Sequence, residues 1–307
     1  MHPAPSIILF TTLSGLGYGL AAMLGLGLLD PSAIATKAAH VVALVLIAGG
    51  LSSSTLHLGN PQRAWRAFSQ WRSSWLSREG VMAVLTFIPL AVNAIASLWS
   101  GRYLPLPGIL GALLCGVTVY CTAMIYASLR SVQAWNTGWT PACYLVFALA
   151  GGLTLASFFS ALGGGETNWL PLLAVAALVG AWIVKLRWWS RLGELEPLST
   201  PETATGLGRI GIVRLLERPH MNGNYLTNEM GFRVARKHAA KLRRVALAVG
   251  GAVPAAFLLL TVIAGLSPAV AAVLSAFAAL AFFAGTLAER WLFFAEARHA
   301  VMNYYGS

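Results

Sequence analysis

Residues 245–288 read VALAVGGAVPAAFLLLTVIAGLSPAVAAVLSAFAALAFFAGTLA and contain no Asp, Glu, Lys or Arg. This run is more than twice the ~20 apolar residues that cross a bilayer as one helix. Ser267 and Pro268 lie at its middle, and proline starts a helix well but continues one badly. The stretch therefore predicts two membrane-spanning helices joined by a tight turn.

The rest of the chain has the same character. It has 307 residues, of which 57% are hydrophobic and 10% charged, whereas a soluble domain carries about 25% charged residues. We therefore predict an all-α fold: a polytopic membrane protein, a bundle of eight transmembrane helices with one long basic loop between helices six and seven. The first span has no basic n-region and is too long for a signal peptide, so we expect it to remain in the mature protein. The predicted spans lie near 6–29, 36–58, 79–99, 107–129, 142–163, 169–189, 245–266 and 268–289.

The positive charges predict the orientation of the chain. Eight spans place both termini on one side of the membrane, together with the loops 59–78, 130–141 and 185–244. Of the 21 Lys and Arg residues, all but Lys37 and Arg102 fall on that side. The positive-inside rule then predicts that both termini are cytoplasmic. The net charge of +11 does not favour nucleic acid as a partner, because insertion explains the asymmetry; anionic lipids or an acidic subunit are the expected partners.

The loop 185–244 is the largest predicted extramembrane piece. It opens with KLRWW at 185–189, which is typical of an aromatic and basic belt at the membrane surface. Prolines and glycines follow, and a basic helix is expected from Asn228 towards span seven. We interpret 1–307 as a single membrane domain with 190–244 as an extramembrane docking loop within it. A solvated linker whose arginines bind lipid is the alternative.

Two titratable residues at span ends are candidates for chemistry, because charges at membrane depth are costly and usually functional. His57 lies at the end of span two, where it can exchange protons or simply bond to a helix-end carbonyl. Glu79 lies at the start of span three and is the one carboxylate expected within a span. It is either a proton acceptor beside His57 or a first-turn carboxylate that follows a Ser77 N-cap and complements the helix dipole.

The connection between these two residues alternates arginine with aromatic residues and contains no acidic residue. Arginine and tryptophan together are typical of a membrane-edge anchor and are also enriched at protein interfaces. A partner that docks here is expected to be acidic, because the guanidinium fork fits carboxylates. The residues concerned are Arg63, Trp65, Arg66, Phe68, Trp71, Arg72, Trp75 and Arg78.

The remaining histidines and cysteines disfavour resident metal cofactors. His40 and His57 lie near opposite ends of one predicted helix, so they do not form a haem-binding pair. Three cysteines, Cys115, Cys121 and Cys143, fall within spans and are expected to be small apolar filler; they are too few for a four-cysteine iron–sulfur cluster. We therefore predict no metal site. The scarcity of carboxylates near the midplane also disfavours a transporter.

Four short motifs carry a family resemblance. They are STLHLGNP at 54–61, RAW at 63–65, LSRE at 76–79 and WTP at 139–141. Together with the eight-span layout, they resemble the DmsC family, which supplies the membrane anchor subunits of dimethyl sulfoxide reductase and related molybdenum enzymes.

The resemblance implies that the chain binds a quinone, either ubiquinone or menaquinone, without catalysis of its own on a soluble substrate. It implies an iron–sulfur subunit docked on the basic face and a molybdopterin catalytic subunit, with the clusters and molybdopterin held only by these partners and no haem. His57 and Glu79 are the residues that it assigns to the quinone site, as proton-exchanging and quinone-binding groups. From their side and depth, Ser54, Arg63, Tyr126 and Trp135 are expected to line that site as well.

The long loop 185–244 departs from the dimethyl sulfoxide reductase anchor and resembles the anchors of membrane-bound sulfite dehydrogenases, whose catalytic subunits are cytoplasmic. We therefore predict a bacterial inner-membrane subunit that links sulfite oxidation to quinone. The alternatives are an anchor of the dimethyl sulfoxide reductase type that oxidises quinol, and a membrane tether or transporter without a redox role.

Overall fold

The computed structural model describes residues 1–55, 60–165, 169–197, 199–214, 216–217, 238–264 and 266–305. In these ranges the chain forms helices and no strand, and eight of the helices are long and apolar enough to cross a membrane. The predicted fold class is therefore confirmed. We label the eight helices α1 (Pro5–Gly25), α2 (Ile34–Thr55), α3 (Trp75–Ser100), α4 (Pro105–Ala127), α5 (Trp139–Leu162), α6 (Trp169–Gly193), α7 (Ala239–Ile263) and α8 (Pro268–Ala295).

Local sequence explains several helix ends. Proline occupies the first helical position of α1, α4 and α8, where its missing N–H leaves no intrahelical bond unmade. Gly101 ends α3 in the left-handed region, with φ 61°, which glycine adopts without steric cost. Helices α6 and α8 continue to Gly193 and Ala295, beyond their predicted ends at 189 and 289. The extension of α8 carries the charged residue Arg290 into the bundle, where it is 2% exposed.

Several chain segments meet on one side of the bundle, which we call the terminal side. It holds the start of α1 and the ends of α4, α6 and α8. The Met1 amine donates to the Ala297 carbonyl at 2.7 Å, and the Ala300 N–H donates to the Ser131 carbonyl at 2.8 Å. Residues from both ends of the sequence and from the α4–α5 connection are thereby held together.

Close backbone contacts at glycine hold the helices to one another. A Cβ at Gly19 would collide with the Ala148 carbonyl and with Gly152, so α1 and α5 approach each other closely, as small residues allow in lipid. Helix α7 contains a π-helical turn, Ala248–Ala252. The Gly250 carbonyl in this turn accepts a 2.9 Å hydrogen bond from Trp182 Nε1 of α6.

Candidate functional site

Glu79 is a buried carboxylate near the terminal side, with 4% of its surface exposed. Helix α3 begins at Trp75 with Ser74 at the N-cap position, so Glu79 lies beyond the first turn. The alternative in which Ser77 caps this helix is therefore wrong. Glu79 Oε1 lies 2.5 Å from Thr122 Oγ1 of α4, and this contact joins two helices.

The Thr122 hydroxyl lies between two acceptors. Its oxygen is 2.5 Å from Glu79 Oε1 and 3.1 Å from the Thr118 carbonyl oxygen. A hydroxyl has one hydrogen and also accepts. Thr122 therefore donates to an ionised Glu79, or turns its hydrogen to Thr118 and accepts from a protonated Glu79. The pair can hold or release a proton by rotation of one hydroxyl.

Tyr126 and Trp135 come together in a buried aromatic cluster. Their rings make an edge contact with 5.4 Å between centroids, and Trp135 Nε1 donates to the Phe293 carbonyl at 2.9 Å. Tyr126 also stacks on Tyr144, at 5.9 Å. Tyr126 and Tyr144 are within electrostatic range of Glu79. Contact of either predicted residue with a quinone stays a prediction.

Two other predicted site residues, Ser54 and Arg63, lie at the same edge. Ser54 is half-buried in the last turn of α2, and Arg63 is exposed in the 3-10 helix Pro61–Gln70. His57 lies outside the described residues. The roles of these three side chains in the site stay predictions.

Residues 61–74, the Arg–Trp segment, lie against the start of α3. Phe68 packs beside Gly80, since a Cβ there would lie 3.2 Å from the phenyl ring. Arg78, the neighbour of Glu79, donates to the carbonyls of Trp71 and Arg72 at 3.0 and 2.7 Å. The segment is thereby fixed beside Glu79. Trp65 and Trp71 remain exposed, which leaves apolar surface on the terminal side.

A second buried polar cluster was not foreseen from the sequence. Glu289 pairs with Lys185 Nζ at 2.5 Å and with Arg290 Nε at 2.8 Å, and the side chains of Lys185, Glu289 and Arg290 are 0%, 0% and 2% exposed. Lys185 therefore does not lie in a surface belt, and Glu79 is not the one carboxylate within a span. Both expectations were wrong because α6 and α8 extend farther than the uncharged runs indicate.

This triad carries one excess positive charge, which aromatic rings surround. Lys185 Nζ is 3.9 Å from the Trp188 ring centroid, and the Arg290 guanidinium is 4.0 Å from that of Tyr144. The faces of aromatic rings attract cations, most strongly away from water. The sequence held one signal for this arrangement: Trp182, Lys185 and Trp189 follow helical spacing and share one face of α6.

A polar cavity of about 20 Å³ lies between the two clusters. This volume accommodates one water molecule. Two groups at its wall, Thr12 Oγ1 and Thr286 Oγ1, are buried and have no hydrogen-bond partner among the described residues. The Tyr144 hydroxyl and the Arg290 guanidinium, which interact with each other, are also buried at this wall. Thr122, the partner of Glu79, also lines the cavity. One small polar space thus borders both the Glu79–Thr122 pair and the triad.

The described residues offer no obvious metal ligand set. Within them, no group of three or more His, Cys, Asp or Glu is placed to hold a metal ion. Cys115, Cys121 and Cys143 are free and buried in α4 and α5. The polar groups of the Glu79–Thr122 pair and of the triad are carboxyl, hydroxyl, ammonium and guanidinium groups, which form hydrogen bonds and ion pairs.

Comparison with known proteins gives consistent matches over the sequence. Residues 1–295 match the family of the DMSO reductase anchor subunit (DmsC). The protein is 33% identical to the C subunit of sulfite dehydrogenase from Allochromatium vinosum, over 100% of this sequence and 99% of that protein. It is 27% identical to the C polypeptide of anaerobic dimethyl sulfoxide reductase from Escherichia coli K12, over 59% of this sequence and 67% of that protein.

Proposed function

This chain belongs to the DmsC family of dimethyl sulfoxide reductase anchor subunits, and we propose that it binds a membrane quinone and passes electrons between that quinone and an iron–sulfur subunit of a molybdoenzyme. The observation that carries the proposal is the buried Glu79–Thr122 pair. A carboxyl group that can take up and release a proton at the membrane edge is what quinone chemistry requires.

The reaction balances as quinone + 2 electrons + 2 protons → quinol. The electrons come from the iron–sulfur subunit, and Glu79 and His57 are the groups that transfer protons to the ring oxygens. Both protons are taken from the terminal side, where the electrons also arrive. Quinone reduction then moves no net charge across the membrane.

The terminal side is the docking face in this proposal. The Arg–Trp segment, fixed beside Glu79 through Arg78, presents exposed tryptophan and arginine without a neighbouring acid, which suits an acidic partner surface. The iron–sulfur subunit docks there and holds the molybdopterin subunit, and the loop 190–244 contributes to the same face. Docking at this face keeps electron delivery from the iron–sulfur subunit and proton delivery through Glu79 at the same edge of the membrane.

Sulfite is the substrate proposed for the complex. The relative from Allochromatium vinosum is named as a subunit of sulfite dehydrogenase and aligns over the whole of this protein, whereas the relative from dimethyl sulfoxide reductase aligns over 59% of it. We accordingly place the complex in a bacterial inner membrane, with both termini and the catalytic subunit in the cytoplasm, and with ubiquinone or menaquinone as the acceptor.

The test uses the assembled complex with Glu79→Gln in this subunit. Quinone-dependent sulfite oxidation is expected to fall about 100-fold, the lower range for loss of a general acid–base group. Sulfite oxidation with a water-soluble acceptor that takes electrons from the partner subunits is expected to stay normal. Asp30→Asn, which removes an exposed carboxylate in the α1–α2 connection on the opposite side of the bundle, is the matched control. Normal quinone turnover in Glu79→Gln would leave a membrane tether as the function.

A further inference from the structure

An apolar cleft of about 130 Å³ lies between α1, α4 and α5. At its outer edge Leu149 is 44% exposed on the surface that faces lipid. Glycine and alanine form much of its wall and leave flat surfaces. The wall residues that matter here are Tyr18, Gly19, Ala112, Cys115, Gly116 and Leu149.

The inner end of this cleft is polar. Tyr18 is 1% exposed, and its hydroxyl has no hydrogen-bond partner among the described residues. A buried hydroxyl without a partner is costly and is usually satisfied by a ligand or water. Tyr18 is also within electrostatic range of Glu79.

The cleft adjoins the polar cavity. Val119 and Ala148 line both spaces, and Thr122, the partner of Glu79, lies one helical turn from Val119 on α4. Only the side chains of Val119 and Ala148 therefore separate the apolar cleft from the cavity that Thr122 lines.

We infer that this cleft between α1, α4 and α5 is the entrance and ring site of an isoprenoid quinone, an inference that rests on the proposed function. The ring lies between the small residues of α1, α4 and α5, with one carbonyl towards the Tyr18 hydroxyl, and the tail leaves past Leu149. A lipid acyl tail does not fit as well, because it has no polar atom for Tyr18. One water in the polar cavity joins the inner edge of the ring to Thr122, Tyr144 and Arg290.

Gly116 allows a direct test of the entrance. A Cβ at Gly116 meets no atom within 4 Å, and the same holds for Gly180 of α6, which lies outside the cleft. The series Gly116→Ala, Gly116→Leu and Gly116→Phe fills the cleft in steps without a backbone clash. The same three substitutions at Gly180 are the matched controls for added volume on a membrane helix.

The measurement is the KM for decylubiquinone of the assembled complex in lipid nanodiscs. We expect KM to rise with side-chain volume at Gly116, to about tenfold in Gly116→Phe, and to stay constant in the Gly180 series. A constant KM in both series would overturn the inference. If the wild-type complex prefers a short-chain menaquinone analogue, the KM for that analogue is measured in the same two series. A wild-type complex that reduces neither decylubiquinone nor the menaquinone analogue would instead overturn the proposed function, so the two failures are distinct. The graded series keeps the test decisive if the phenylalanine variant does not assemble.

Discussion

Glu79 and Glu289 are both buried carboxylates near the terminal side, but they have opposite kinds of partner. Glu289 lies between two cations, at 2.5 and 2.8 Å, whereas Glu79 contacts one hydroxyl at 2.5 Å. The Glu289 carboxylate is the countercharge of two buried cations, so its removal would leave both of them unpaired. A carboxyl next to a hydroxyl keeps a favourable hydrogen bond in either protonation state. Glutamate thus supplies a countercharge at position 289 and an exchangeable proton at position 79.

The largest expected effect is on stability at Glu289. In Glu289→Gln, Lys185 and Arg290 lose their countercharge inside the bundle, and the free energy of unfolding is expected to fall by about 3–5 kcal/mol. Unfolding in detergent, followed by circular dichroism, measures this. Asp30→Asn, at an exposed position where the amide oxygen still accepts from Ser32, is expected to unfold like the wild type. A Glu289 variant as stable as that control would show that the triad does not hold the bundle together.

The next effect concerns the hydroxyl that distinguishes the two sites. Thr122→Val keeps the side-chain shape but leaves the buried Glu79 carboxyl without its donor, at an expected cost of about 1–3 kcal/mol in the free energy of unfolding. Quinone turnover is expected to fall as well, because the proton exchange at Glu79 loses its partner. Thr154→Val is the control, since the Thr154 hydroxyl bonds within its own helix, to the Ala150 carbonyl. Equal losses in the two variants would contradict the special role of Thr122.

A smaller effect completes the comparison at Glu79 itself. Glu79→Gln is expected to change the free energy of unfolding by less than about 1 kcal/mol, because an amide still bonds to the Thr122 hydroxyl. The same change at Glu289 is the large effect above. Comparing the free energies of unfolding of the two variants under one condition therefore shows which carboxylate stabilises the bundle and which one is free to act in proton exchange. Similar losses at both positions would remove the distinction.

The smallest effect lies outside the membrane, at His299. Burial, and then the charge of the Met1 amine, lower the pKa of His299 below its ordinary value of 6.5. The unfolded segment then binds more protons than the folded one, so His299 contributes stability above about pH 6.5 that is lost as the pH falls. Hydrogen exchange of 296–303, corrected for the intrinsic rate, is expected to show less protection at about pH 5.5 than at about pH 7.5. His299→Gln should abolish that difference; a difference that persists assigns it to another group.

The sequence predicts the eight spans because each one needs only an uncharged run of the right length, as at 245–288. It also selects Glu79, since a carboxylate beside such a run is rare. It does not reveal Thr122 as the partner of Glu79, because a hydroxyl in an apolar helix looks like any small residue until the facing helix is known. Lys185 was misplaced for a related reason: KLRWW is typical of a membrane surface, and only Glu289, distant in the sequence, shows that Lys185 points inward. The predicted roles of Ser54, Arg63 and His57 in the quinone site stay predictions.

The π-helical turn Ala248–Ala252 in α7 limits which insertions and deletions this helix can tolerate. A turn of this kind contains one residue more than an α-helical turn, and it leaves the Gly250 carbonyl free for Trp182. Deletion of one codon here would close the turn and rotate the preceding part of α7 by about 100°. Arg243, which now bonds Glu296 at 2.8 Å, would face elsewhere. We therefore expect this helix to lose its packing when its length changes by one residue.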